Sequence, residues 1–515
     1  MLILAAWAAG IGLLVRREYF KPAELKIQEA ALRVGPGAEF YAISMGGGPI
    51  GYASSTVDTT PEGLRVQDQM VVDVEALGKV QRTQLASEIR LTRDLRLRGF
   101  DATLEAPGTA FRAQGSVEGD SVLDVALDAG AAHPQTLRVS LRRPIVMSSL
   151  LPLQLAFGHQ LAPGKEYAVR LFDPMLMEER EVTVRVLAES TLIVPDSARR
   201  DSAAQRWVPA RLDTLRAWKV AEQFSGVSTE SWIDRQGRVV SSVSPIGFRM
   251  DRMPFEMAVE NWRRSAATRV AAEGGGSGGD VIAATAITAN VPVAPESLSV
   301  LRVALANVSL EGFDLSGGRQ SLSGDTLTVR REAGVGALPG AHPPLYLDKL
   351  PVLDTAFTGY LAPEPLVQSD DPRIQAQARQ IVGKERRAGP VADLLTRWVY
   401  QSLKKEITIS VPSAVQVLED RRGDCNEHTV LYVALARALG LPARTAAGLV
   451  YLRGHFYYHA WPEVWLGQWV AVDPTFGQFP ADASHLRFVI GGLARQVELL
   501  RLIGRVRVTV VGSQG

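Results

Sequence analysis

The sequence predicts a multidomain chain, with mostly antiparallel β N-terminal domains followed by an α+β domain near the C-terminus. Three observations carry that expectation. Apolar and polar residues alternate with period two through much of residues 37–248, the pattern of strands with one buried face. The stretch Glu273-Gly274-Gly275-Gly276-Ser277-Gly278-Gly279 breaks the chain as a flexible linker. Beyond residue 370 helical periodicity takes over and then gives way to a pair of strands. A chain of 515 residues also exceeds what one hydrophobic core ordinarily serves.

Taken in order, Leu2 to Val15 is an uninterrupted apolar or glycine run closed by Arg16-Arg17. It is shorter than the about 20 residues that usually span a bilayer, yet it reads best as a single-pass membrane anchor. Positive-inside counting on Arg16 and Arg17 alone would put the body in the cytoplasm. A basic segment ahead of the run would reverse that, and an extracytoplasmic body is the expectation. Pro22 to Leu32 has the character of a short helical stalk. Strands follow at Leu64–Gln67, Met70–Val74, Leu137–Leu141 and Val182–Val186, with turn signals at Glu118-Gly119-Asp120, Ala162-Pro163-Gly164 and Arg235-Gln236-Gly237. The expected product is a large antiparallel sheet, open or curled into a half-barrel, whose concave face packs on itself or holds a lipid or peptide.

Pro254 to Ala272 reads as a helix with proline in its first turn. Strand-like segments return at Leu298–Leu305 and Leu327–Val329, and a Pro-rich connection runs from Pro339 to Pro365. Asp370-Asp371-Pro372 caps a helix to about Lys384, and Pro390 to Lys405 forms another. The chain thus divides into an anchor (1–20), a β-rich domain (35–253), a helix and linker (254–279), a small β domain (280–335), a Pro-rich connection (336–369) and an α+β domain (370–515).

Composition narrows the function classes. A net charge of +1 gives no reason to expect a nucleic-acid partner. The single cysteine, Cys425, excludes an intramolecular disulfide and a zinc site built on several thiolates. No cofactor is expected.

That cysteine opens the most informative segment. Cys425 follows Gly423-Asp424 and starts an apolar-periodic run (Val430, Leu431, Val433, Ala434, Ala436, Leu439) that Gly440 and Pro442 terminate. A thiol at a helix N-terminus meets unpaired N–H groups and a dipole that favour the thiolate. Thr445 to Leu452 and Tyr457 to Leu466 read as strands about the Arg453-Gly454 turn, and Gly467-Gln468 leads into Trp469 to Val472. His459 and Asp473 then fall on adjacent antiparallel strands, within reach of each other across the hairpin. A thiol nucleophile, an imidazole that takes and returns the proton and a carboxylate that orients it are the parts of an acyl-transfer site. His428, one helical turn after the cysteine, is an alternative base. Cys425, His428, His459 and Asp473 are also zinc-type ligands, but the ligand-pair spacings of known zinc sites are absent, and no metal is expected. Asp424 reads as a cap, Glu463 as a structural partner and His455 as a surface residue. Trp461 and Trp465 wall an acyl tunnel or pack the hairpin face.

Gly423-Asp424-Cys425-Asn426-Glu427-His428, the helix end Leu439-Gly440-Leu441-Pro442-Ala443-Arg444, His459-Ala460-Trp461 with Glu463-Val464, and Val472-Asp473-Pro474-Thr475 together resemble the transglutaminase-like superfamily, relatives of papain-type thiol enzymes. The likeness covers about residues 371–480 and is of the bacterial, membrane-anchored type. It implies a papain-like α+β catalytic domain with Cys425 as nucleophile, His459 as general base and acid, and Asp473 as its orienter. It also implies an acyl-enzyme resolved by water or an amine, on an amide of a protein or peptide substrate. No Asp-rich calcium loop accompanies it. A different class of function, a non-enzymatic envelope scaffold or a ligand-binding protein using the β-rich domains, stands beside this reading. Arg505 to Val511 alternates as an edge or closing strand.

Overall fold

The computed structural model describes residues 36–76, 79–107, 109–119, 121–140, 146–158, 161–173, 178–224, 227–244, 247–265, 285–332, 345–349, 355–406 and 413–515. The anchor, the stalk and the glycine linker expected from the sequence lie outside these residues. Among the described residues, no helix is long and apolar enough to cross a membrane.

Fifteen strands, β1 (Gly37–Met45) through β15 (Arg249–Arg252), form one sheet among the described residues. It runs from β8 back to β1 and then from β15 back to β9. The pairs whose registers are resolved are antiparallel except β9 (Val146–Met147) with β10 (Glu166–Asp173). The period-two pattern explains the layering. In β3 (Gly63–Ala76), Leu64 and Val66 are buried while Arg65 and Gln67 face outward. The sheet curls, because Phe100 and Phe172, from opposite halves of the strand order, bring their rings to 6.1 Å inside one core.

A feature the period-two reading did not anticipate fills that curl. Leu151–Gly158 forms α1, and Leu151, Leu153 and Leu155 are buried in the same core. Its apolar residues alternate as a strand's would, which is why the sequence hides it. The Arg235–Gly237 turn receives the helix: a Cβ on Gly237, at φ +70°, would lie 2.6 Å from Leu153 Cα. From residue 255 the chain turns helical, with a π-helical segment at Glu256–Glu260.

The segment expected to be a small β domain does not close by itself. β16 (Ile287–Thr288) joins a second sheet described below. β17 (Val300–Ala306), β18 (Gln320–Ser323) and β19 (Thr326–Arg330) take the C-terminal strand as a fourth member, so the chain's last strand is an edge beside β17. The physical reason is the alternation in that strand: Val506, Val508 and Val510 are buried against Leu301, Val303 and Leu305 in one core with residues 447–489.

The remaining chain packs helices on a sheet. α2 (Pro372–Val382), α3 (Ala388–Ser402) and α4 (Ala414–Asp420) surround α5 (Cys425–Ala438), and Glu427 to Arg437 are buried along its length. Two short parallel strands, β20 (Lys404–Lys405) and β21 (Arg422–Gly423), brace the approach to α5. The second sheet has the order β16–β23–β22–β25, formed with β22 (Ala443–Leu452), β23 (His455–Trp465) and β25 (His485–Ile490), while β24 (Trp469–Ala471) pairs with β23. The C-terminal strand, β26, spans Arg507–Gln514. The β-rich body touches this domain through polar contacts. Ser413 Oγ donates to Ala129 O at 2.6 Å, the Arg373 guanidinium donates to Gly130 O at 2.9 Å, and Ala132 N–H donates to Asp371 at 3.0 Å.

Candidate active site

The site begins with a helix cap. Asp424 is the N-cap of α5: it accepts from Asn426 N–H at 2.9 Å, and Glu427 reaches back to accept the Asp424 N–H at 2.9 Å. This capping box fixes the first turn and hence the position of Cys425. It requires glycine at 423, where a Cβ would fall 2.2 Å from Glu427 Cβ.

The thiol meets the outer edge of β23. Trp465 N–H donates to Pro442 O on the β22 side, and Pro462 O accepts from Val472 N–H on the other, so even-numbered backbone groups of β23 face outward. That edge is covered by β16 at residues 455–456 and by β24 at residues 463–465. Between those two, the tip of α5 packs against β23, Cys425 lies against the core that includes Ala460, and the Ala460 N–H faces its sulfur. The sulfur therefore sits at the residue next to His459.

His459 and Asp473 are joined directly, with His459 Nε2–H donating to Asp473 Oδ2 at 2.8 Å. The ring is stacked on Phe476 (centroids 5.0 Å, 9°) and on Trp461 (6.1 Å, 22°), which hold its plane. With Nε2 committed to the carboxylate, Nδ1 is the ring's basic nitrogen. Asp473 lies just past β24, not inside a strand, and its other oxygen accepts from Thr475 N–H at 2.7 Å and Phe476 N–H at 3.1 Å.

The sequence reading missed one residue of this cluster. His485, at the start of β25, donates from Nε2 to the same Asp473 Oδ2 at 2.9 Å, and its Nδ1 faces Asp482 Oδ1 at 3.2 Å. Burial opposes its charge, but the hydrogen bonds to Asp473 and Asp482 outweigh burial and hold its pKa up to about 9. Burial likewise opposes ionisation of Asp473 and Asp482, and their histidine contacts outweigh it, holding both carboxyls well below the usual carboxylate range. The available signal was a polar pair, Ser484-His485, opening a strand in which only Arg487 is otherwise polar.

His428 is turned elsewhere. Its Nδ1–H donates to Asp424 O at 2.6 Å, burial lowers its pKa, and its Nε2 is buried with no hydrogen-bond partner. Glu463 is buried between Arg444 (2.6 Å) and Arg487 (3.0 Å), tying β22, β23 and β25 together behind the histidine. Burial disfavours its charge, yet Arg487 and Arg444 keep it ionised. Trp461 is a core residue, whereas Trp465 packs against Phe357 and Trp469.

The thiol differs from expectation. Burial, then the Asp424 carboxylate, with smaller contributions from Glu427 and Asp473, push Cys425 well above the ordinary thiol pKa, and the Ala460 N–H offsets only part of this. A helix N-terminus ringed by its own capping carboxylates does not by itself produce a resting thiolate. As for metals, donor atoms of His459, Asp473 and His485 lie within 4.8 Å of one another. The same atoms satisfy each other at 2.8 and 2.9 Å, so an ion would have to replace both hydrogen bonds.

Residues 375–474 match the transglutaminase-like superfamily. This transglutaminase-like domain runs from within α2 to just past Asp473 and so contains Cys425, His459 and Asp473. Among solved structures, a Cytophaga hutchinsonii protein named "putative cysteine protease" is 16% identical, over 42% of this chain and 85% of its own, with a TM-score of 0.28. A β-barrel-like protein of a domain of unknown function from Brucella abortus is 15% identical, over 43% of this chain and 95% of its own, with a TM-score of 0.30. No curated protein matches the chain.

Proposed function

We propose that the transglutaminase-like domain carries out thiol acyl chemistry on an amide of a protein or peptide, with Cys425, His459 and Asp473 as its catalytic residues. One observation carries this reading: Cys425 at the tip of α5 packs against the core that includes Ala460, the neighbour of His459, whose imidazole Nε2 is 2.8 Å from a fully buried carboxylate. In the reaction the Cys425 proton passes to His459 Nδ1 as the sulfur attacks the amide carbonyl. The C–N bond then breaks, the amine leaves with the proton from His459, and a thioester remains. Water or a second amine, deprotonated by the same nitrogen, attacks the thioester and restores the thiol. Asp473 holds the tautomer that makes Nδ1 basic. Hydrolysis is favoured over crosslinking, and the apolar run at residues 2–15 supports attachment of the body to a membrane; the extracytoplasmic side is the side this reading assigns to it, against the bare count of Arg16 and Arg17.

The test is intact-mass detection of an acyl adduct on the protein after mixing with activated amide and ester peptides. Adduct formation with turnover in the native protein, and neither in Cys425→Ala, is expected. Turnover retained by Cys425→Ala would overturn the mechanism.

A further inference from the structure

Asp473 is presented by a loop that closes on itself. The Ala481 N–H donates to Ala471 O at 2.8 Å across its neck, and further in Asp473 and Gln478 exchange backbone hydrogen bonds at 2.9 and 2.8 Å. One side of the neck is tied to β23 through β24, a strand of only three residues. The other side, Ala481-Asp482, runs on toward β25 and carries the carboxylate that faces His485.

A buried ion pair from outside the loop grips both sides of this neck. Arg319, just ahead of β18, donates to Ala481 O at 3.0 Å and to Asp482 O. Its guanidinium lies 3.1 Å from Glu332, two residues past β19, and Glu332 accepts the Ala471 N–H at 3.0 Å. The neighbouring Gln320 exchanges hydrogen bonds with the Arg487 backbone at 2.7 and 3.0 Å, so Arg319 and Gln320 hold the chain on both sides of His485. The pair is closed to water, with side-chain exposures of 3% for Arg319 and 4% for Glu332. Burial pushes the Glu332 carboxyl pKa up, and Arg319 offsets only part of this. Desolvating two such charges costs about as much as their attraction returns, so the pair is a poor device for stability alone.

From this clamp we infer that Arg319 and Glu332 are positioning residues for Asp473. By fixing both sides of the neck they set where the carboxylate meets His459, and they act through Asp473 without touching the substrate. Both lie outside the 375–474 segment that matches the superfamily, so the β17–β19 unit completes the site from beyond it. This role rests on the thiol chemistry proposed above.

The experiment uses the full chain and two variants. Arg319→Lys keeps a charge beside Glu332 but lacks the planar fork that reaches two carbonyls. The double variant Arg319→Met, Glu332→Met removes both charges together and strands neither. Expected in each is a kcat roughly tenfold to a hundredfold lower, with KM within about twofold and a folded circular-dichroism spectrum. The low-field proton resonance of His459 Nε2–H, assigned by its loss in His459→Gln, should shift or broaden in both. A native kcat or a native resonance in either folded variant would overturn the inference. Loss of the fold in both variants would also overturn it, by making the pair purely structural. The resonance needs no turnover: if the native chain turns over no amide, the thiol chemistry fails while the resonance still tests the clamp.

Discussion

His485 Nε2 lies 2.9 Å from Asp473 Oδ2, the same oxygen that accepts from His459. A carboxylate oxygen shared by two imidazoles cannot shift toward one without loosening the other, so His485 fixes where the carboxylate presents itself to His459. In the proposed reaction it is a positioning residue. Replacement by alanine leaves Asp473 and Asp482 each short of a buried donor, which costs on the order of 3 kcal/mol of stability. It should also cost roughly tenfold to a hundredfold in kcat with KM little changed. His485→Gln, which restores a neutral donor, should recover most of the kcat. Equal kcat for the native protein and the alanine variant would exclude the positioning role.

The same contact sets a stability window in pH. The folded-state pKa of His485 is about 9 against an ordinary 6.5, so its contribution is fully present below 6.5 and lost as pH rises through 9. Asp473 and Asp482 are depressed from an ordinary 3.8, so their contribution is present above 3.8 and lost as pH falls below it. Urea midpoints should therefore be highest between these limits and fall toward about pH 10. In His485→Gln the alkaline decline should flatten. An unchanged alkaline slope in that variant would assign the decline to other groups.

Cys425 is expected to react slowly at neutral pH. Burial and the Asp424, Glu427 and Asp473 carboxylates push the thiol pKa up, so in the proposed reaction the nucleophile is generated by His459 at the moment of attack and does not stand ready as an ion pair. Iodoacetamide alkylation should climb through and beyond pH 9 without an acidic plateau. Rapid alkylation persisting at about pH 6 would show a pre-formed thiolate–imidazolium pair.

What the sequence made legible was what it encodes locally. Asp371 and Asp424 cap their helices through neighbours two residues on, and the 443–465 hairpin turns at Arg453-Gly454. The His459–Asp473 hydrogen bond spans the next hairpin, β23 to β24, and the residues just after it. The parts that escaped depend on distant pairing or on ambiguous periodicity. His485 reaches Asp473 only because β25 pairs with β22, and β26 meets β17 across some two hundred residues of chain, as the Asn290–Val510 hydrogen bonds (a separation of 220) illustrate. Leu151-Pro152-Leu153-Gln154-Leu155 alternates like a strand yet folds as α1, because enclosure by the curled sheet overrides a two-residue pattern.

The helix cap and the thiol can be separated by paired substitutions. A methyl group on Gly423 would lie 2.2 Å from Glu427 Cβ and 2.4 Å from its Cγ, so Gly423→Ala must displace the side chain that closes the capping box. Loss of the box costs about 1–2 kcal/mol and shifts the first turn, and with it the sulfur two residues on. Turnover should drop together with thermal stability. Glu427→Gln keeps an oxygen able to accept the Asp424 N–H, so stability should hold within about 1 kcal/mol. The same change removes one of the carboxylates that raise the Cys425 pKa, so alkylation at a fixed pH should become faster. Faster labelling with an intact fold in Glu427→Gln, set against lost turnover and lost stability in Gly423→Ala, distinguishes electrostatic control of the thiol from its placement. Unchanged labelling in Glu427→Gln would remove Glu427 from the groups that govern the thiol.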